Sequence, residues 1–189
     1  MTERLTLVRA RDVAGLPVVT VDGGEDAAEI KDVVYDADDH RLIGFTLNKR
    51  GWFRGSMKST LVAGDVVGIG ADAVMVRDET ALDGSGSSAD GPSPSGAGHE
   101  VVGIDVVSSS GSVIGTVVDV VLETGASPNA VGYEVETETG SVFIPSTAQM
   151  GLSAQHLIVP AEAEEFTRDD LAGFGAAIRS FRDRLGGRR

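Results

Sequence analysis

The stretch Ile30-Lys-Asp-Val-Val-Tyr-Asp36 returns as Val117-Val-Asp-Val-Val-Leu-Glu123, and its surroundings return with it. Upstream, Gly15-Leu-Pro-Val-Val19 matches Gly103-Ile-Asp-Val-Val107; downstream, Ile43-Gly-Phe45 matches Val131-Gly-Tyr133. The offset is 88 residues at the first glycine, 87 at Asp32 and Asp119, and 88 again at Gly44 and Gly132. Three segments held in register, with only two compensating one-residue shifts between them, mark a tandem of two like modules. The matched positions are apolar residues, turn residues and one Asp, so the repeat speaks to architecture more than to chemistry.

Working outward from the repeat, the first module shows short β-branched runs at Val18 to Thr20, Ile30 to Tyr35, Leu42 to Leu47, Val66 to Ile69 and Ala73 to Val76. Turn signals separate them at Asp22-Gly-Gly24, Asp36 to Asp39, Arg50-Gly51 and Gly64-Asp65. The second module repeats the plan with runs at Val106-Val107, Val113 to Leu122, Ala130 to Val135, Ser141 to Ile144 and Leu157 to Val159. Many short strands between tight turns predict a mainly β chain of two small antiparallel barrels. Between them, residues 83–98 are almost entirely Gly, Ser, Pro, Ala and Asp, with nothing to bury, and read as a flexible linker. The expected organisation is therefore a first barrel over 1–82, the linker over 83–98, a second barrel over 99–161 and a C-terminal amphipathic α-helix within 162–189. In that last segment Phe166, Leu171, Phe174, Ile178, Phe181 and Leu185 recur at three to five residues and share one helix face. Thr167 reads as its N-cap with Asp170 at the capping-box position, and Gly186 as its end.

Composition narrows the function classes. The chain carries no cysteine, which removes disulfide frameworks, thiolate metal sites and cysteine nucleophiles and points to a reducing cytoplasm. The start has no apolar core of signal-peptide length, and no run approaches a membrane span. The net charge of -13 is uneven: between Arg77 and Arg168 there is no Lys or Arg, while residues 99–160 hold seven acids. Cations meeting phosphates dominate nucleic-acid affinity, so nucleic acid is not the expected partner of the second module. A basic or neutral protein surface is.

The repeated strings, together with Asp22 to Glu25 and Ile69-Gly-Ala-Asp-Ala-Val74 in the first copy and Gly111-Ser-Val-Ile-Gly115 in the second, resemble the PRC-barrel family, small β-barrels first described in the H subunit of the photosynthetic reaction centre. The resemblance covers roughly residues 5 to 80 and 100 to 161. It implies two PRC-type barrels and a non-catalytic adaptor for protein interaction and assembly, with no shared catalytic centre, cofactor or metal to carry over. A related barrel in a ribosome maturation factor makes a ribosome- or RNA-associated role the alternative; a small-ligand-binding protein is the third reading.

Two places are singled out as contacts. Lys49, Arg50, Trp52, Phe53 and Arg54, followed by Lys58, form the one stretch where aromatics and cations interleave, the residue types that most often anchor interfaces. The bland reading is a hairpin whose aromatics cap the barrel. The helix face of Phe166, Leu171, Phe174, Ile178 and Phe181 would dock on a partner, on a second copy of the chain to give a homo-oligomer, or on its own barrel. Asp36, Asp38, Asp39 and His40 lack the spacing of a calcium loop and read as a turn. Asp32 and Asp119 suggest paired carboxylates, but their equivalence across the copies predicts that each bonds to backbone in its own barrel. His40, His99 and His156 are too scattered for a metal set.

Overall fold

The structure, a computed structural model, describes residues 6–35, 41–49, 55–82, 101–147, 150–152, 155–161, 165 and 167–186. The first module forms β2 (Pro17–Thr20), β3 (Asp26–Tyr35), β4 (Leu42–Lys49), β5 (Gly55–Val62), β6 (Val66–Ile69) and β7 (Val74–Val76), preceded by a short strand β1 (Leu7–Arg9) and a single helical turn α1 (Ala10–Val13). The second forms β8 (Asp105–Ser108), β9 (Val113–Glu123), β10 (Asn129–Thr137), β11 (Gly140–Pro145), β12 (Gly151–Leu152) and β13 (His156–Val159), and ends in helix α2 (Leu171–Gly186).

The duplication in sequence is a duplication in topology. One sheet runs β5-β4-β3-β2-β7-β6 and the other β11-β10-β9-β8-β13-β12, the same order shifted by six strands, with β1 added to the second through β9. Each sheet contains one parallel pair, β2 with β7 and β8 with β13. In each, the two edge strands are also neighbours along the chain. A single 3-10 turn, Ala63–Asp65, joins β5 to β6. Three residues reach about 10 Å at most, so the sheet has to curl until its two edges approach, which is how six short strands make an open barrel rather than a flat sheet.

The match extends to single hydrogen bonds. Gly15 N–H donates to Ile30 C=O and Gly103 N–H to Val117 C=O, both at 2.8 Å, while Ile30 and Val117 N–H return bonds to Leu16 and Ile104 C=O, both at 2.9 Å. The turn that permits this exchange needs φ of +86° at Gly15 and +94° at Gly103, a region that side chains with a Cβ avoid. Each copy then bulges at the same place, between Val18 and Val19 and between Val106 and Val107.

The chain divides into two compact units, the first drawn from Val8–His99 and Glu123–Asn129, the second from Met1–Leu7, Glu100–Leu122 and Ala130–Arg189. The first encloses Val18, Ile30, Phe45, Leu47, Leu61, Val66 and Val74. Within it Ser127 N–H donates to Val66 C=O at 3.0 Å, and Leu42 N–H to Asn129 Oδ1 at 3.4 Å. The second encloses Val106, Val117, Leu122, Tyr133, Val135, Ile144, Leu157 and Val159. On β9 the run Asp119 to Leu122 is buried on both faces, because a second layer lies on this sheet.

Candidate functional site

That second layer is α2. Its N-terminus is set by Asp170, whose Oδ1 accepts from Gly173 N–H at 2.7 Å while its carbonyl accepts from Phe174 N–H. The cap therefore falls three residues later than Thr167. The reason is a bridge: Phe143 and Arg168 exchange N–H to C=O bonds of 2.6 and 3.1 Å, which holds the chain beside Thr167 extended along β11 and delays the helix.

Phe174 is the pivot of the layer. It is fully buried with Ile178 against Val121, Val131 and Phe143, with Leu7 and Leu171 packed at the margin. The Phe143 and Phe174 rings lie 5.6 Å apart at 33°, a tilted contact that adds to simple burial. Space for Phe174 comes from Gly132, where a Cβ would stand 2.4 Å from the ring and 2.4 Å from Ile144 O. Gly132 is thus the socket of the helix. Of the expected helix contacts, Phe174 and Ile178 are buried within the chain's own second unit, Leu171 and Phe181 are half-buried, and Phe166 lies outside the described residues.

The other expected contact is placed only at its ends. Lys49 pairs with Gly55 across β4 and β5, so the intervening segment connects a hairpin. Arg50, Trp52, Phe53 and Arg54 lie outside the described residues, as do Asp36, Asp38, Asp39, His40, His99 and the segment 83–98; for Lys49 and Lys58 only the backbone is described.

The matched aspartates bond to backbone. Asp32 Oδ1 accepts from Val33 N–H and Asp119 Oδ1 from Val120 N–H, both at 2.8 Å. Asp119 is 2% exposed, Asp32 exposed. Burial pushes the phenol of Tyr133 up to about 12, the Ser146 hydroxyl acting in the other direction. In the first unit a cavity of ≈ 570 Å³ is lined by Asp65, Arg77, Asp78, Thr80 and Ser127 among others. Its charges are mixed, and Asp78 is held below the usual carboxylate range mainly by the Thr80 hydroxyl, then by the Thr80 amide, so that carboxylate already has donors of its own. Among the described residues no group of three or more His, Cys, Asp and Glu is arranged to hold a metal, and no helix is long and apolar enough to cross a membrane.

The sequence did not reveal the outward side of the second sheet, where Asp105, Glu136, Glu138, Val113 and Ile158 are all exposed. Their signal was the strand alternation combined with register, and register comes only from pairing.

A family model described as PRC-barrel domain matches residues 5–82 and again 96–165. No curated protein matches the chain. Domains of this kind are general protein-interaction and assembly modules and are generally non-catalytic.

Proposed function

This chain belongs to the PRC-barrel family, and from that premise we propose that it is a non-catalytic adaptor that binds a basic or neutral protein partner and supports assembly in the cytoplasm. The observation that carries the reading is where the second unit keeps its charge. Asp105, Glu136 and Glu138 stand exposed on strands and turns whose other side fills the barrel with Val, Leu and Ile, and no Lys or Arg occurs from residue 78 to residue 167. An acidic surface on a rigid, packed barrel repels acids and nucleic acid and steers cations toward it. The absence of cysteine supports the cytoplasmic placement. The segment from Lys49 to Arg54 is proposed as a second contact of the same adaptor, on its content of Trp and Arg.

The test is the mass of the chain isolated gently from the cells that make it, measured by light scattering at low and at high salt. A complex heavier than the 19.5 kDa chain that dissociates as salt rises supports the adaptor. A free monomer at every ionic strength sinks it.

A further inference from the structure

The outer face of the second sheet carries an apolar row that ends on an exposed valine, where the matching row of the first sheet ends on a carboxylate. Register sets Gly151 opposite Ile158, Ile158 opposite Val107, and Val107 opposite Val113, across β12, β13, β8 and β9. Directly opposed residues share a face. Val106, Leu157 and Val159, their neighbours along the strands, are buried, so this row points outward. Val113 is 72% exposed and Ile158 39%. Beside it runs a polar row of His156, Asp105 and Thr116, with the Thr116 hydroxyl donating to Asp105 Oδ1 at 3.2 Å. At the β9 end, Val113 shares a concavity of ≈ 460 Å³ with Glu136 and Glu138.

The same registers in the first sheet line up Gly68, Met75, Val19 and Asp26. The barrel therefore accepts a carboxylate at the Val113 position, and an exposed valine there is no requirement of the fold. With Ile158 and Val107 it forms a contiguous apolar strip, the arrangement rather than the single exposed residue that points to a contact.

We propose that the row Ile158, Val107 and Val113, flanked by Asp105, Glu136 and Glu138, docks a basic segment of a protein partner, with apolar side chains on the row and Lys or Arg on the carboxylates. The proposal rests on the adaptor reading and names its surface. Charge selects the occupant. A second copy of this face would set acids against acids, and a nucleic acid would set phosphates against them.

The test uses the full chain, made in its own cells with benzoylphenylalanine in place of Val113, Asp26 or Trp52, irradiated, and analysed by mass spectrometry of the adducts. A Val113 adduct whose captured segment carries Lys or Arg, with a yield that falls on the order of tenfold in the Glu136→Lys, Glu138→Lys background, is the expected result, because like charges suppress association. No adduct at position 113, an adduct to an acidic segment, or a yield indifferent to charge reversal overturns the site. Adducts at 26 or 52 without one at 113 leave the adaptor reading standing while this surface falls. Silence at all three positions removes both.

Discussion

The two barrels share strand order, bulge and glycine turn, yet they are finished differently. On the first, the chain leaves β7 through a 3-10 turn, Glu79–Leu82, which packs on β5 and buries Ala81 and Leu82. On the second it leaves β13, bridges β11 through Arg168, and lays a 16-residue helix on the sheet. The equivalent glycines tell the same story. A Cβ at Gly44 would strike Leu61 O at 2.1 Å, so the first sheet needs a glycine for strand pairing alone; at Gly132 the strand carbonyl and Phe174 both need the space. One module can thus be closed by a turn or by a helix; Val34 and Ile43 match Val121 and Val131, so the difference on the outer side is Phe143, which pairs with Glu134 where Thr60 pairs with Thr46.

The sharpest way to break this comparison is Phe174→Ala. Emptying a fully buried aromatic position costs about 3 to 5 kcal/mol, and the loss should appear as lost helical circular dichroism and faster amide exchange in β9 to β11, with β2 to β4 unchanged. Next come Gly132→Ala and Gly44→Ala. Both force strand backbone apart at a cost of about 1 to 3 kcal/mol or more, but only the first should also lower the helical signal, since only Gly132 seats the helix.

A pH series separates the barrels at matched positions Tyr133 and Phe45. The folded second barrel holds the Tyr133 phenol near 12 against an ordinary 10.0, so the unfolded chain releases this proton first as pH rises. Stability then falls between about pH 10 and about pH 12, by on the order of 2 to 3 kcal/mol. Urea titrations across that range should show the slope reduced in Tyr133→Phe, which makes the second barrel resemble the first; an unchanged slope would refute the assignment.

Asp119→Ala should cost about 1 to 3 kcal/mol, since it strands a buried amide, while Asp32→Ala, on an exposed side chain, should cost under about 1 kcal/mol. Equal losses in thermal melts would show that burial does not distinguish the two. The smallest effect belongs to Val113→Asp, which copies Asp26 into the second barrel and should move stability by no more than about 0.5 kcal/mol. A larger shift would mean that Val113 supports the fold rather than a partner.

Much of this architecture was legible in the chain. The repeat at Asp32 and Asp119, the β-branched runs and the paired glycines predicted two small barrels, because strand patterning and turn chemistry are local properties. The bonds of Asp32 and Asp119 to the next amide follow from the same locality. The amphipathic period predicted a helix, but not its start: Thr167 has the chemistry of a cap, and only the pairing of Arg168 with Phe143 across the fold hands that role to Asp170. Likewise the apolar face of Phe174 and Ile178 reads equally well as a surface for a partner or for the chain itself.

By itself the sequence determined that this is a duplicated β module with a terminal helix and no Lys or Arg between Arg77 and Arg168, since composition, period and repeat need no partner to be read. Only the tertiary structure decided that Gly132 is the socket for Phe174, and that Ile158, Val107 and Val113 form one exposed row. Those residues lie far apart along the chain and become neighbours through strand register, a property of pairs of segments that no single segment encodes.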